Sequence, residues 1–83
     1  MKNKYACPCC GYLTLDEKPT GTFAICPVCF WEDDDYQSSN PDYNGGANHL
    51  SLNDAKSNFK SYGAIDGRAL KFVRKPKRSE IPP

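Results

Sequence analysis

Apolar positions along this chain first follow a strand-like rhythm, then thin out, then return with a helical one. Tyr12-Leu13-Thr14-Leu15 and Thr22-Phe23-Ala24-Ile25 are short runs of the residue types that strands favour. The stretch from Asp16 to Gly21 between them contains Pro19 and Gly21, so the pattern predicts a hairpin in which these two runs pair. Beyond Trp31 the rhythm is lost. Asn40-Pro41-Asp42 and Asn44-Gly45-Gly46 are turn formers, and residues 32–50 read as an irregular acidic and aromatic connection. A helix is predicted from Ser51 to Tyr62, where Leu52, Ala55, Phe59 and Tyr62 fall at i, i+3, i+7 and i+10. Ser51 suits its N-cap, Asp54 follows in a capping-box-like position, and Gly63 suits the left-handed residue just past its end. Ala69-Leu70-Lys71-Phe72-Val73 reads as a short strand or a turn of helix, and the end from Pro76 to Pro83 as frayed.

Composition adds a constraint. The chain has 83 residues, 39% of them hydrophobic, and a mean hydropathy of −0.70. One domain of this size hardly buries enough apolar surface to offset the entropy of folding. A staple is required, either disulfides or a metal. The 5 cysteines are odd in number and tightly clustered, which favours metal. The polar start Met1-Lys2-Asn3-Lys4-Tyr5 has none of the apolar character of a signal peptide, so a reducing cytoplasmic setting is expected. No apolar run approaches the length of a membrane span.

The chemistry lies in Cys7-Pro8-Cys9-Cys10-Gly11 and Cys26-Pro27-Val28-Cys29-Phe30. Each contains C-x₂-C, with 15 residues between Cys10 and Cys26. Two thiolates three positions apart can curl around one cation, and two such knuckles complete a tetrahedron with Zn–S distances of about 2.3 Å. Cys7, Cys10, Cys26 and Cys29 are therefore the expected ligands of one Zn²⁺. Cys9, adjacent to Cys10, is awkward for the same ion and is expected to be a spare thiol, inert or redox-reactive. His49, the sole histidine, is the other outsider able to ligate. The fold class that follows is a small metal-stabilised α+β domain: a zinc-ribbon hairpin with two Cys knuckles, followed by one α-helix. Residues 1–31 form the ribbon, 32–50 the connection, 51–63 the helix and 64–83 a basic C-terminal segment.

Charge is segregated. Glu32, Asp33, Asp34, Asp35 and Asp42 face no basic residue in their stretch, whereas Arg68, Lys71, Arg74, Lys75, Lys77 and Arg78 dominate the end. The formal net charge is +1, and four thiolates around a dication would turn it to about −1. This is not the balance of a strongly basic nucleic-acid binder.

Together with Ile25-Cys26-Pro27-Val28-Cys29-Phe30-Trp31-Glu32-Asp33-Asp34 and Gly46-Ala47-Asn48-His49-Leu50-Ser51-Leu52, the first knuckle resembles the bacterial cysteine-rich CPCC family, from about Tyr5 to Gly63. The resemblance implies a small bacterial metal-binding protein in which Trp31, Asn48 and the Gly-Ala-Asn-His stretch belong to the structural signature. It carries no activity over. Tyr5-x-Cys7-x₂-Cys10-Gly11-Tyr12 also resembles the first knuckle of rubredoxins, which hold a single iron. The closer spacing of the knuckles here, and Phe30 in place of a glycine, depart from that pattern.

Three functions compete on these grounds. The first is a structural zinc protein that binds a protein partner, with Trp31, Asp33, Asp34, Asp35 and Tyr36 as the candidate surface. The second is nucleic-acid binding through the basic segment Lys71 to Arg78, which would be salt-dependent. The third is rubredoxin-like electron transfer or thiol redox chemistry. An enzyme is not expected, since the sequence offers no nucleophile–base–acid set and no phosphate-cradling loop. Neither a small-molecule substrate nor a membrane is indicated. Asp33-Asp34-Asp35 lacks the glycine and terminal glutamate of a calcium loop.

Overall fold

A C-x₂-C turn brings its own flanks within hydrogen-bonding reach, and this local closure decides the strand pairing. The computed structural model describes residues 4–83; the polar start read at Met1-Lys2-Asn3 lies outside them. Strand β1 (Tyr5–Ala6) pairs antiparallel with β2 (Leu13–Leu15), Tyr5 opposite Leu15 and Ala6 opposite Leu13. The first cysteine pair forms the turn between them. Around the second pair, Phe23 N donates to Asp33 O at 3.0 Å, Asp33 N donates to Ala24 O at 2.9 Å, and Ile25 bridges Glu32. The expected hairpin between Tyr12–Leu15 and Thr22–Ile25 is therefore not formed. Each run pairs instead across its own knuckle, and the loop between them is held elsewhere: Gly21 N and Thr22 N both donate to the Asp33 carboxylate, at 3.0 and 2.8 Å.

The connection is also more regular than its turn formers predict. Helix α1 (Asp35–Ser39) starts on Asp34, whose side chain accepts from Gln37 N. The other Asp34 oxygen accepts from Ala47 N at 2.8 Å. These amide contacts, Ala47 first and then Gln37, hold the Asp34 carboxyl below its ordinary range. Gly46 permits this approach, because a Cβ there would lie 2.6 Å from Asp34 Oδ2 and 2.7 Å from Gln37 Cγ.

Gln37 is fully buried and organises the segment. Its amide nitrogen faces the carbonyls of Tyr43, Asn48 and Leu50 at 3.0–3.1 Å. Its oxygen accepts from Asn48 N at 3.0 Å and Asn48 Nδ2 at 2.9 Å. Asn48 in turn behaves as a strand would toward Glu32, accepting from Glu32 N at 2.9 Å and donating to Glu32 O at 2.8 Å. A buried amide pair thus replaces a missing strand neighbour along the second hairpin.

Helix α2 (Leu52–Tyr62) has the caps read from the sequence. Ser51 Oγ accepts from Asp54 N at 3.1 Å, and Gly63 takes φ 93 with its N–H on Phe59 O. Leu52 and Ala55 are buried; Phe59 meets the Tyr12 ring edge-on at 6.2 Å, and Tyr62 turns outward. The chain then returns to the second knuckle. Ile65 N donates to Cys29 O at 3.0 Å and Arg74 N to Pro27 O at 3.2 Å. Ala69 to Phe72 lie in a 3₁₀ turn, Arg68–Phe72, rather than a strand.

The expected frayed end is corrected as far as Glu80. A second 3₁₀ turn, Arg78–Glu80, packs against β2. Arg74 donates to both Glu80 oxygens, at 2.8 and 2.9 Å, and Lys77 N donates to Oε1 at 2.8 Å. Proline removed the regular structure that the sequence pattern looks for, but not the tertiary contact. Between the hairpins and α2 lies a small core of Leu15, Val28, Trp31, Leu52, Ala55 and Ile65 with the cysteines. Among the described residues no helix is long and apolar enough to cross a membrane.

Two outcomes test this architecture. Asn48→Ala leaves Glu32 N–H, Glu32 C=O and Gln37 Oε1 short of partners, so denaturant unfolding should show a loss of about 2–4 kcal/mol. Arg74, with the Lys77 amide, holds the Glu80 carboxyl down from 4.5 to about 2. A carboxyl depressed on folding contributes stability that is complete above its unfolded pKa and fades as pH falls through its folded one. Amide protection factors in the tail and β2, with the intrinsic exchange rate at each pH divided out, should therefore fall between pH 4.5 and about 2, and Glu80→Gln should show low protection there at every pH.

Candidate metal centre

The two knuckles are built alike. Cys7 N donates to Tyr12 O and Gly11 N to Cys7 O, both at 2.9 Å; Cys26 N donates to Trp31 O at 2.9 Å and Phe30 N to Cys26 O at 2.8 Å. The residue after the second cysteine must then turn left-handed. Gly11 does so with φ 80 and Phe30 with φ 78. A side chain in that conformation costs about 1–2 kcal/mol. Phe30 recovers a comparable amount by stacking on Phe72, centroids 5.3 Å apart, since such pairs contribute about 0.5–1.5 kcal/mol.

This geometry points the sulfurs of Cys7, Cys10, Cys26 and Cys29 at one another, all within 4.8 Å. Cys7 and Cys29 are 3.6 Å apart, and Cys10 and Cys26 3.7 Å. Disulfide sulfurs lie about 2.05 Å apart, so these thiols are not bonded. A tetrahedron with metal–sulfur bonds of about 2.3 Å has edges of about 3.8 Å, and the observed separations fit it. Polar hydrogens are directed at the sulfurs as well: Val28 N to Cys26 and Trp31 N to Cys29, each at 3.4 Å, and the Thr14 hydroxyl lies 3.1 Å from Cys26.

Electrostatics makes the same point. Cys26 is drawn far below the ordinary thiol value by hydrogen bonds from Cys10, Cys29 and Cys7, with Thr14 adding to them. Cys7 is pushed up by Cys10 and then Cys26, and Cys10 by Cys26 and then Cys29. At Cys29 the contact with Cys10 favours the thiolate, but Cys26, Cys7 and Cys9 outweigh it. Sulfurs so coupled are the donor set that a metal cation takes as thiolates, and the four are able to bind one.

The remaining candidates separate. Cys9 is buried beside Cys29 but outside the four-sulfur group. His49 is away from it, with Nε2 3.0 Å from Asp66 Oδ2 and 3.2 Å from Arg68 Nη2. Trp31 and Asp33 are each 1% exposed, which removes them from the surface proposed for a partner. Trp31 fills the core, and Asp33 holds the Gly21–Thr22 loop. Asp34 is tied to backbone amides, whereas Asp35 and Tyr36 are exposed, Tyr36 resting edge-on against Tyr43 at 4.8 Å.

A family model described as cysteine-rich CPCC matches residues 5–80. The chain belongs to the cysteine-rich CPCC family. No curated protein matches it. The CPCC match runs past Gly63, so the Arg74–Glu80 clasp lies within the family's extent as well as within the fold. Sequence reasoning missed Gln37 and Thr14. Gln37 was findable, because Asp34-x-x-Gln37 has capping-box spacing; nothing in the sequence singles out Thr14.

Replacing a ligand should be decisive where replacing the spare is not. Cys7→Ser or Cys29→Ser should abolish stoichiometric metal in native mass spectrometry and leave an unfolded far-UV spectrum, since such sites contribute about 10–16 kcal/mol. Cys9→Ser should keep one metal per chain and its native fold.

Proposed function

We propose that this protein is a structural zinc protein whose stapled knuckles present an interaction surface to a protein partner, without a catalytic role. The observation that carries the reading is the closed four-thiol group, buried at Cys7, Cys26 and Cys29 and half-buried at Cys10. A tetrathiolate shell leaves no position for substrate or water, which suits a scaffold. Around the second knuckle, Phe23 is 60% exposed, Ile25 48% and Phe72 60%. Large apolar side chains exposed on so small a surface, Ile25 and Phe72 lining one groove, support a protein partner. The tail lends less to a nucleic-acid reading than its composition promised, because Arg74 is engaged by Glu80 and Lys71 lies over the Phe72 ring.

Four thiolates also suit iron, so metal analysis of the protein as purified is the first test. One zinc per chain and no visible absorption is the expected result. One iron with a visible charge-transfer band would replace the zinc reading with electron transfer. For the partner, chemical crosslinking in the source cell should trap a protein through the Phe23–Ile25 face. Retention of every adduct in a Phe23→Ser/Ile25→Ser double variant would refute that surface.

A further inference from the structure

Beside the second knuckle is a groove of about 320 Å³ with an apolar floor and a charged rim. Ile25 and its cross-strand partner Glu32 line it together with the apolar side chains Phe30, Ile65 and Phe72. We infer that this groove binds a lysine or arginine side chain of a protein partner, on a segment that also carries an apolar residue. The inference rests on the protein-partner reading and names that partner's chemistry.

Glu32 is the reason. Its backbone is held at both N–H and C=O by Asn48, at 2.9 and 2.8 Å, so its side chain springs from a rigid point. The residue is half-buried, and among the described residues its carboxylate has neither an ion pair nor a hydrogen bond. A carboxylate set against apolar surface without a partner gains from any cation delivered to it.

The rest of the rim adds to the negative side. Asp66 spends one oxygen on Ala69 N at 2.8 Å and turns the other toward His49 at 3.0 Å. Arg68, the cation of the rim, has an 81% exposed side chain and comes no closer than 4.0 Å to Asp66. Two carboxylates, Glu32 and Asp66, therefore share this rim with one guanidinium, and that one reaches His49 at 3.2 Å without closing on Glu32. An acidic occupant would meet Glu32 and Asp66; a basic one would be drawn to them.

The apolar floor suits the same occupant. Lysine and arginine lay their methylene stems along apolar surface while the head stays polar, and aromatic rings attract the cation. The protein's own Lys71 already does this, with Nζ 5.3 Å from the Phe72 ring centre, yet it does not pair with Glu32.

The test is a titration of ¹⁵N-labelled, metal-loaded full chain with two end-capped peptides, Gly-Lys-Leu-Gly and Gly-Glu-Leu-Gly. The lysine peptide should shift the amides of Ile25, Glu32 and Ile65 and saturate in the millimolar range, and the glutamate peptide should leave them in place. Glu32→Gln should weaken the lysine peptide by roughly threefold or more, with metal stoichiometry and the remaining spectrum unchanged; Arg68→Gln should not weaken it. Tighter binding of the glutamate peptide, lost in Arg68→Gln, would overturn the inference while leaving a protein partner in place. Equal binding of the lysine peptide by wild type and Glu32→Gln would overturn it too. So would no shift with either peptide. The crosslinking result at Phe23 and Ile25 then decides separately whether the protein-partner reading falls with it.

Discussion

Four cysteine sulfurs converging on one point hold the first half of this protein together. Among the described residues no strand pairing joins the hairpin around Cys7 and Cys10 to the hairpin around Cys26 and Cys29. The sulfurs make that junction, with the Thr14 hydroxyl reaching across to Cys26 at 3.1 Å. The same four sulfurs are able to bind one metal ion, which would tie the two knuckles together. Everything carried by the knuckles is positioned by that junction, including the left-handed Phe30 and its stack on Phe72.

The second organising element is uncharged. Gln37 and Asn48 place amide donors and acceptors where a short chain lacks another strand, and their contacts run from α1 through the turn region to Glu32. Buried amides are stabilising only when their hydrogen-bonding groups are met. That requirement accounts for the company they keep: an aspartate cap at Asp34, a glycine at Gly46 that allows close approach, and a run of inward-facing carbonyls. The acidic stretch is consequently divided by direction. Asp33 points inward to a loop, Asp34 caps a helix, and Glu32 and Asp35 are left to face outward.

The C-terminal half closes over the knuckles rather than trailing from them. Backbone donors of Ile65 and Arg74 satisfy carbonyls of Cys29 and Pro27, and Glu80 is buried against β2 with Arg74 across it. Through the Arg74–Glu80 pair the basic end is part of the scaffold. Beside the second knuckle the surface combines exposed apolar side chains with the Glu32 carboxylate, unpaired among the described residues.

The features legible in the sequence are those set by a few neighbouring residues. The four-cysteine cluster, able to bind a metal ion, followed from C-x₂-C spacing, because two thiols three positions apart converge whatever the rest of the chain does. Helix α2 followed from its caps and apolar stripe, since Ser51, Asp54 and Gly63 act within a turn of the helix they bound. What lay beyond such ranges was decided in three dimensions. Whether Tyr12–Leu15 paired with Tyr5–Ala6 or with Thr22–Ile25 was decided by contacts each run makes across its own knuckle, Thr22–Ile25 being taken up by Glu32 and Asp33. Whether Trp31 and Asp33 faced a partner or the core depended on a strand register that only the folded hairpin defines. Hydrophobic pattern reports local periodicity, whereas these choices turn on which buried polar group finds which partner across the chain.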